Sequence, residues 1–440
     1  MRLRIYLLFY TFFLTMAFVL FLPVRFLSAG TVQADRPFII VIDPGHSGEN
    51  LGAEYNGYTE KDLNMVVALA MYEELQKYEN VEVYLTHTED VDMSLRERAE
   101  YAAAKNADFL FCLHFNMSPN HNLFGSEVWI SAFDEYYAKG LSFGKIQIET
   151  MESMGLYSRG VKTKLKENGV EDYYGIIRES RDLGLTCALI EHCHLDHRND
   201  EGYYETTAKL QAMGRADAES VAKYFGLRSE ELGVDYSDYP REEVPVPDYI
   251  MAPDSTDPDV CYFEEVSCDL STGNLTVDLT AQDYDSPMLY YNYSTDGGLT
   301  WSELFPWEEG KDTQTVTLNI PSGQEMPAVI FRAYNLFDRF AESNTITYPT
   351  FRYGEVIPDQ TEEEIVLPED TEEAVEADSD QVEITFAKEK PEEEEEKEVS
   401  FLLFLEICLV LAVIIFLSAV MARFFSTGGR KSRKKRNRWN

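Results

Sequence analysis

Residues 38–48 read FIIVIDPGHSG, and the rest of the predicted fold is arranged around this stretch. Its first five residues are all apolar, which indicates a β-strand buried on both faces of a sheet. The strand stops at the Asp-Pro-Gly sequence of residues 43–45, where the chain is expected to turn. His46 follows directly, at the strand end where open α/β sheets collect ligands. A loop histidine that only contacts solvent is the alternative.

Strand and helix patterns then alternate, which predicts a parallel arrangement in one α/β sheet. Further strands are predicted at 81–86, 107–113, 125–130 and 186–190, and helices at about 60–75, 94–105, 137–154 and 202–225. His114 directly follows the strand at 107–113, and Glu191 directly follows the strand at 186–190. If the strands before His46 and His114 are parallel in one sheet, both histidines emerge at the same edge, and Glu191 likewise lies at the end of a strand.

Glu60 lies in the first turn of the first predicted helix. An acid there is also favoured by the helix macrodipole, so a purely structural role is the alternative. Two neutral imidazoles and one carboxylate are a common ligand set for catalytic zinc. His46, Glu60 and His114 fit these ligand roles, and Glu191 fits the separate acid–base role. Spacings this long are not diagnostic, so the ligand set is a hypothesis at this point.

A set of short motifs occurs along this segment in a characteristic order. The motifs are VIDPGHSG, Glu60-Lys61, Ser94-Leu95-x-x-Arg98, LHFN, GSEVW, RGVK and ALIEH. Their order resembles that of the type-3 N-acetylmuramoyl-L-alanine amidases, zinc enzymes of bacterial cell-wall remodelling. The resemblance covers about residues 36–227.

The resemblance implies a twisted mixed β-sheet flanked by helices and hydrolysis of the lactyl–L-alanine amide in peptidoglycan. It also implies that Zn²⁺ is bound by His46, Glu60 and His114 and that Glu191 is catalytic. Two other functions remain as alternatives. One is a catalytically weakened peptidoglycan-binding protein, and the other is a zinc peptidase that acts on the stem peptide.

Several residues depart from the family pattern or have no place in it. Cys193 and His194 stand where the family usually has Gly and Phe, and Ser47 replaces a Gly. His192, His194 and His197 are interpreted as solvated residues at the rim of the site, with a second metal interaction as the alternative. His87 and His121 are expected at the surface, and the RGVK segment is expected to be a polar loop that lines a cleft.

Both ends of the chain carry long apolar segments. Residues 1–30 combine two early arginines with an apolar run, which predicts a signal peptide or an N-terminal membrane anchor. Residues 401–425 are long enough to form a transmembrane helix, and the basic tail at 426–440 is expected in the cytoplasm. The predicted location is therefore the cell membrane, with the catalytic domain (36–227) extracellular.

The segments between the catalytic domain and the membrane differ in composition. Residues 228–255 are rich in acids and prolines and are predicted to be a linker. Short alternating strands at 256–350 predict an all-β sandwich of immunoglobulin or fibronectin type. Cys261 and Cys268 are close in sequence within one loop-rich region and could form a small disulfide. Residues 355–398 hold twenty acidic residues and three lysines, so a disordered acidic linker is expected.

The remaining predictions concern binding partners. The net charge of −40 argues against nucleic acid, which requires a basic surface. Peptidoglycan and the membrane are the expected partners. The sandwich offers Tyr290, Tyr291, Trp301 and Trp307 as a candidate face for sugar or for a protein partner.

Overall fold

The computed structural model describes residues 36–353. The predicted segments at 1–30, 355–398, 401–425 and 426–440 lie outside this range. Within residues 36–353, none of the helices has the length and hydropathy that a membrane crossing requires.

The first domain alternates strands and helices, as predicted. Its elements are β1 (Phe38–Pro44), β2 (Glu54–Tyr55), β3 (Tyr58–Thr59), α1 (Glu60–Leu75), β4 (Val81–Leu85), α2 (Leu95–Ala104), β5 (Phe109–Asn116), β6 (Ser126–Ile130), α3 (Asp134–Ser153), β7 (Ser158–Thr163), α4 (Gly175–Asp182), β8 (Cys187–His194), α5 (Arg198–Tyr204), α6 (Thr207–Phe225), β9 (Arg228–Ser229) and β10 (Val234–Asp235).

Six of these strands form one sheet in the order β4-β1-β5-β8-β6-β7. The pairing of β6 with β8 is antiparallel, whereas the other four pairings are parallel. The predicted mixed sheet flanked by helices is therefore confirmed. Because β1, β5 and β8 are neighbours and run the same way, their carboxyl ends meet at one edge.

Helices cover both faces of this sheet, which explains the unbroken apolar run in β1. Ile40 and Ile42 face the core formed with α1, α3 and α6. Val41 faces the opposite core, which includes residues of α2 and α4. All three side chains are fully buried. A strand buried on both faces needs apolar residues at every position rather than at alternate positions.

Local capping explains where two helices begin. Ser94 and Glu97 form a capping box at the start of α2, in which each side chain accepts a hydrogen bond from the other residue's backbone N–H. Thr206 caps α6 by accepting from the backbone N–H of Lys209. One helix was predicted at 202–225, but α5 ends at Tyr204 and α6 begins at Thr207. The predicted extent of this helix was therefore wrong.

The RGVK segment is not a polar loop, and that prediction was wrong. It lies inside β7, where Arg159 and Lys162 are only 2% and 1% exposed. Both cations contact the carboxylate of Glu127. Charged side chains are normally excluded from a buried strand, but close pairing with an opposite charge permits them.

The second domain is all-β, as predicted. Its strands are β11 (Val260–Asp269), β12 (Asn274–Gln282), β13 (Met288–Ser294), β14 (Phe305–Pro306), β15 (Thr313–Asn319), β16 (Ala328–Asn335), β17 (Phe340–Glu342) and β18 (Ile346–Thr347). They form two sheets, one of β11-β12-β15 and one built on β14-β13-β16-β17 with β18 also paired to β16. Phe263, Leu279 and Phe331 belong to the core shared by the two sheets.

Cys261 and Cys268 lie in the same strand, β11, and both are free thiols. Seven residues of extended chain separate them by about 23 Å. A disulfide requires Cα atoms within about 7 Å, so the suggested bridge is wrong.

The segment predicted as a linker runs along the first domain and is fixed to it. The backbone N–H of Met251 donates to the carbonyl of Ala132 at 2.8 Å, and the Thr163 hydroxyl donates to the Met251 carbonyl at 2.7 Å. The two domains also share a small apolar cluster of Phe124 with Leu289, Tyr290 and Leu304. They therefore pack directly against each other.

Candidate metal centre

His46 lies on the turn that follows β1, in a left-handed backbone conformation with φ of 63°. Its Nδ1 atom lies 3.0 Å from the side-chain oxygen of Asn50. The preceding Gly45 leaves room for a second histidine, because a Cβ atom there would lie 2.3 Å from Cε1 of His114. Glycine at position 45 therefore allows the two imidazoles to approach each other.

The side chain of Arg98, in α2, fixes the turn that carries His46. Its guanidinium donates to Asp43 Oδ1 at 2.8 Å and to the Pro44 carbonyl at 2.7 Å. It also donates to the His46 carbonyl at 3.0 Å and to the Ser47 hydroxyl at 2.7 Å. The arginine of the Ser94-Leu95-x-x-Arg98 motif thus fixes the backbone that carries His46.

Glu60 is the first residue of α1, and its carboxylate bridges the two histidines. Oε2 lies 3.0 Å from Nε2 of His46, and Oε1 lies 2.7 Å from Nδ1 of His114. The same oxygens accept from the backbone N–H groups of Ala53 at 2.8 Å and Phe115 at 3.1 Å. An acid that served only to stabilise the N-terminus of a helix would not require these four contacts, so a purely structural role does not account for Glu60.

The ionisation of Glu60 follows from these contacts. Burial alone would raise its pKa, but the hydrogen bonds from His114 and His46 outweigh burial and lower the pKa well below its usual range. The carboxylate is therefore ionised at neutral pH, which is the form that binds metal ions.

His46, Glu60 and His114 together form a group that could hold a metal ion. One donor atom from each lies within 4.8 Å of the others, and within residues 36–353 no second such group of His, Cys, Asp and Glu occurs. The two imidazole rings meet edge to face, with centroids 4.9 Å apart. Two imidazoles and one carboxylate fit zinc and leave a coordination position for water. The structure thus brings the three predicted ligands together.

Glu191 lies inside β8 rather than just beyond the strand. It is paired with His114 of β5 on one side and with Glu127 of β6 on the other. Directly opposed residues point to the same face of a sheet. The three side chains therefore form a row across the sheet, with Glu191 in the centre.

The carboxylate of Glu191 is buried, and its Oε2 atom has no hydrogen-bond partner among the described residues. Burial, followed by the charges of Glu60 and Glu127, raises the pKa of Glu191 well above its usual value. A carboxylate with a raised pKa is a stronger base, which suits proton transfer near neutral pH.

Glu127 is a site residue that sequence reasoning missed. Its carboxylate accepts from Arg159 Nε at 2.9 Å, Lys162 Nζ at 2.8 Å and Asn116 Nδ2 at 2.9 Å. Burial would raise its pKa, but the charges of Lys162 and Arg159 outweigh burial and lower it. Glu127 lies in the GSEVW motif, which was predicted as a strand, and Arg159 and Lys162 lie in the RGVK motif, which was predicted as a polar loop. One acidic and two basic residues in these two motifs were the available signal.

The histidines after Glu191 neither line a solvated rim nor form a second metal group, so both interpretations were wrong. His192 and His194 belong to β8 and are fully buried. His192 Nε2 lies 2.8 Å from Asp217 Oδ2, and His194 Nδ1 lies 3.2 Å from the Gly125 carbonyl. Because β8 continues to His194, the side chains of residues 192–194 are directed towards the faces of the sheet rather than into solvent.

The other histidines also differ from a simple surface assignment. His197 is buried and accepts from the backbone N–H of Asn199 at the start of α5. His87 is only 9% exposed, so the surface prediction was wrong for it. His121 is exposed as predicted, and its imidazole contacts Asp196 at 2.7 Å.

Comparison with known proteins shows similarity to one family of enzymes. Residues 40–223 match the model of the family described as N-acetylmuramoyl-L-alanine amidase. The amidase CwlM of Bacillus licheniformis is 28% identical over 195 residues, which are 43% of this chain and 69% of CwlM. The sporulation-specific amidase of Bacillus subtilis is 29% identical over 191 residues, which are 43% of this chain and 69% of that protein.

Solved structures of amidases match the same share of the chain. The catalytic domain of CwlV from Bacillus (Paenibacillus) polymyxa var. colistinus is 22% identical, with a TM-score of 0.37. The match covers 43% of this chain and 99% of the CwlV domain.

Proposed function

Because residues 40–223 match the model of the N-acetylmuramoyl-L-alanine amidase family, we propose that this enzyme is a zinc amidase of bacterial peptidoglycan. It hydrolyses the amide bond between N-acetylmuramic acid and L-alanine. The observation that carries the proposal is the convergence of His46, Glu60 and His114 at the edge of the sheet where Glu191 is buried.

In this proposal His46, Glu60 and His114 hold the metal ion. Zinc, when bound, lowers the pKa of a coordinated water and polarises the scissile carbonyl. The protein supplies an ionised carboxylate at Glu60 and two imidazoles, and Arg98 fixes the turn that carries His46. This arrangement requires no large movement of the three side chains to form a site.

Glu191 is the general base and then the general acid. Its free Oε2 atom accepts a proton from the attacking water. The protonated carboxyl then donates this proton to the leaving nitrogen of L-alanine, so that the amine departs neutral. Burial supports both steps, since a raised pKa makes proton uptake and proton return near neutral pH comparable in free energy.

The proposed place of action is the outer side of the cell membrane. It rests on the apolar segments at 1–30 and 401–425 and on the basic tail at 426–440. The acidic segment at 355–398 would hold the enzyme away from the membrane and within reach of the wall.

The test is digestion of purified peptidoglycan by the detergent-solubilised chain, followed by mass analysis of the products. Free stem peptides with an N-terminal alanine are the expected result. Cleavage inside the stem peptide would instead identify a peptidase. Intact sacculi that retain the protein would identify a binding protein, and either result would overturn the proposed activity.

A further inference from the structure

Arg159 forms hydrogen bonds to both domains, next to the row of His114, Glu191 and Glu127. Its Nε atom donates to Glu127 Oε2 at 2.9 Å within the first domain. Its Nη1 and Nη2 atoms donate to the second domain, to the Tyr290 hydroxyl at 3.2 Å and to Asp338 Oδ2 at 2.9 Å. Two of these three partners therefore come from the β-sandwich.

Asp338 of the second domain adds a carboxylate to the charged cluster around Arg159. Arg159 and Lys162 are cationic, and Glu127 is the one carboxylate that both contact. Asp338 supplies the second carboxylate, at 2.9 Å from Arg159. Pairing with an opposite charge lowers the cost of burying a cation, so Asp338, whose side chain is 39% exposed, supports the buried Arg159 from the sandwich.

Tyr290 contributes to the same contact between the two domains, both by packing and by hydrogen bonding. Its side chain is fully buried between the domains, and its hydroxyl donates to the Phe124 carbonyl while it accepts from Arg159. On the other side, Gly160 admits Leu336, because a Cβ atom there would lie 2.8 Å from Leu336 Cδ1. Water is thereby excluded from the Arg159 guanidinium.

The turn that carries Asp338 is itself held rigidly. Asn335, which is fully buried, accepts through Oδ1 from the backbone N–H groups of Phe337 and Arg339, each at 3.0 Å. Its Nδ2 atom donates to Asp283 at 2.8 Å. Asp338 has a left-handed φ of 60° within this turn. The carboxylate is therefore presented from a fixed position.

We propose that the β-sandwich completes the catalytic site, because Asp338 and Tyr290 hold Arg159 as a positioning residue that fixes Glu127 beside Glu191. This inference rests on the proposed role of Glu191. Of the four residues predicted to form a binding face on the sandwich, Tyr290 and Trp307 are buried, whereas Tyr291 and Trp301 are half-buried.

Loss of the Asp338 contact to Arg159 is expected to slow proton transfer and to leave zinc binding unchanged. Glu127 is the strand partner of Glu191 on the side away from His114. When Arg159 loses Asp338, one of the four side-chain donors to the Glu127 carboxylate is no longer held from the second domain, and the positions of Glu127 and of its neighbour Glu191 are disturbed. Small displacements of catalytic groups cost up to about a hundredfold in rate. The three proposed zinc ligands keep all their contacts.

The experiment uses the full chain with a soluble muropeptide substrate and measures kcat, KM and zinc content. Asp338→Ala should lower kcat about tenfold or more, with KM and one zinc per chain retained. Asp338→Glu, which restores a carboxylate, should recover part of the loss. Tyr290→Phe removes one hydroxyl and should lower kcat by a smaller factor.

A matched control is available at the same interface. Glu303 of the sandwich pairs with Arg198 of the first domain and does not contact Arg159. Glu303→Ala should keep kcat within about twofold of the parent, as exposed ion pairs contribute little. Equal kcat values for Asp338→Ala and Glu303→Ala would overturn the inference, as would loss of zinc in Asp338→Ala.

Two further outcomes separate this inference from the proposed function. If Asp338→Ala does not fold, Tyr290→Phe decides, and an unchanged kcat in Tyr290→Phe would overturn the inference. If the parent chain binds zinc but releases no product, the proposed amidase activity fails first.

Discussion

Glu191 is the direct strand partner of His114 in the parallel pairing of β5 with β8. This register places a buried carboxylate on the same face of the sheet as the imidazole that contacts Glu60. Separate strands thus deliver the proposed metal ligand and the proposed base to adjacent positions. A shift of one residue in this pairing would send one of the two side chains to the opposite face.

Replacement of Glu191 by Gln should abolish peptidoglycan hydrolysis while zinc stays bound. The amide keeps the size of the side chain but cannot take a proton from water. Loss of a general base lowers the rate by about a hundredfold to ten-thousandfold. The measurement compares product release and zinc content of the variant and the parent. A variant that cleaves as fast as the parent would disprove the acid–base role.

The purified chain should carry about one zinc ion, measurable by elemental analysis. Chelation should remove both the metal and the activity, and one equivalent of added zinc should restore both. Glu60→Gln should bind zinc much more weakly, because the variant lacks the only anionic ligand among the three. A metal-free preparation with full activity would contradict this prediction.

Gly45→Ala tests the close approach of the turn to His114. The added methyl group would lie 2.4 Å from Nε2 of His114, so the imidazole must move. Disturbed ligand orientation lowers metal affinity by about tenfold to a hundredfold. Gly202→Ala is the control, because a Cβ atom at Gly202 meets nothing within 4 Å. Competition with a zinc-binding dye should separate the two variants, and equal affinities would refute the steric argument.

The buried side chain of His194 is expected to make the folded protein less stable at acidic pH. Burial lowers its pKa to about 3, so the folded state holds it neutral where the unfolded state, with a pKa near 6.5, is protonated. Its contribution is therefore fully present above about pH 6.5 and is lost as the pH falls towards 3.

The measurement is urea unfolding of the parent and of His194→Phe between pH 7 and 4. The parent should lose about 1.4 kcal/mol per pH unit relative to the variant. Asp200, whose pKa burial raises to about 6, shifts stability in the opposite direction. Its contact to the backbone N–H of residue 194 persists in the variant, whereas its 3.9 Å contact to the imidazole is removed together with the imidazole. Parallel pH profiles would rule out the buried neutral state.

The apolar β1 strand, the neighbouring strands and the three proposed ligands were accessible from the sequence. Each of the ligands lies at or near the end of a strongly patterned element: His46 follows β1, Glu60 begins α1 and His114 lies near the end of β5. Strand burial on both faces produces an uninterrupted apolar run, which is a local signal. The functional roles of these residues stay predictions.

Features that depend on long-range pairing could not be read locally. Arg159 and Lys162 read as a polar loop because their partner, Glu127, lies more than thirty residues earlier. His192 and His194 read as solvated because their partners, Asp217 and the Gly125 carbonyl, lie 25 and 69 residues away in the sequence. Polar residues buried through distant partners violate the hydrophobic pattern on which strand prediction relies.

The most direct test of this account is an anomalous difference map of the crystallised protein, recorded at the zinc absorption edge. The account predicts a single strong peak bonded by His46, Glu60 and His114 at about 2.0–2.2 Å, with the Glu191 carboxylate facing it. A peak held by other residues, or a Glu191 side chain directed away from the metal, would contradict it.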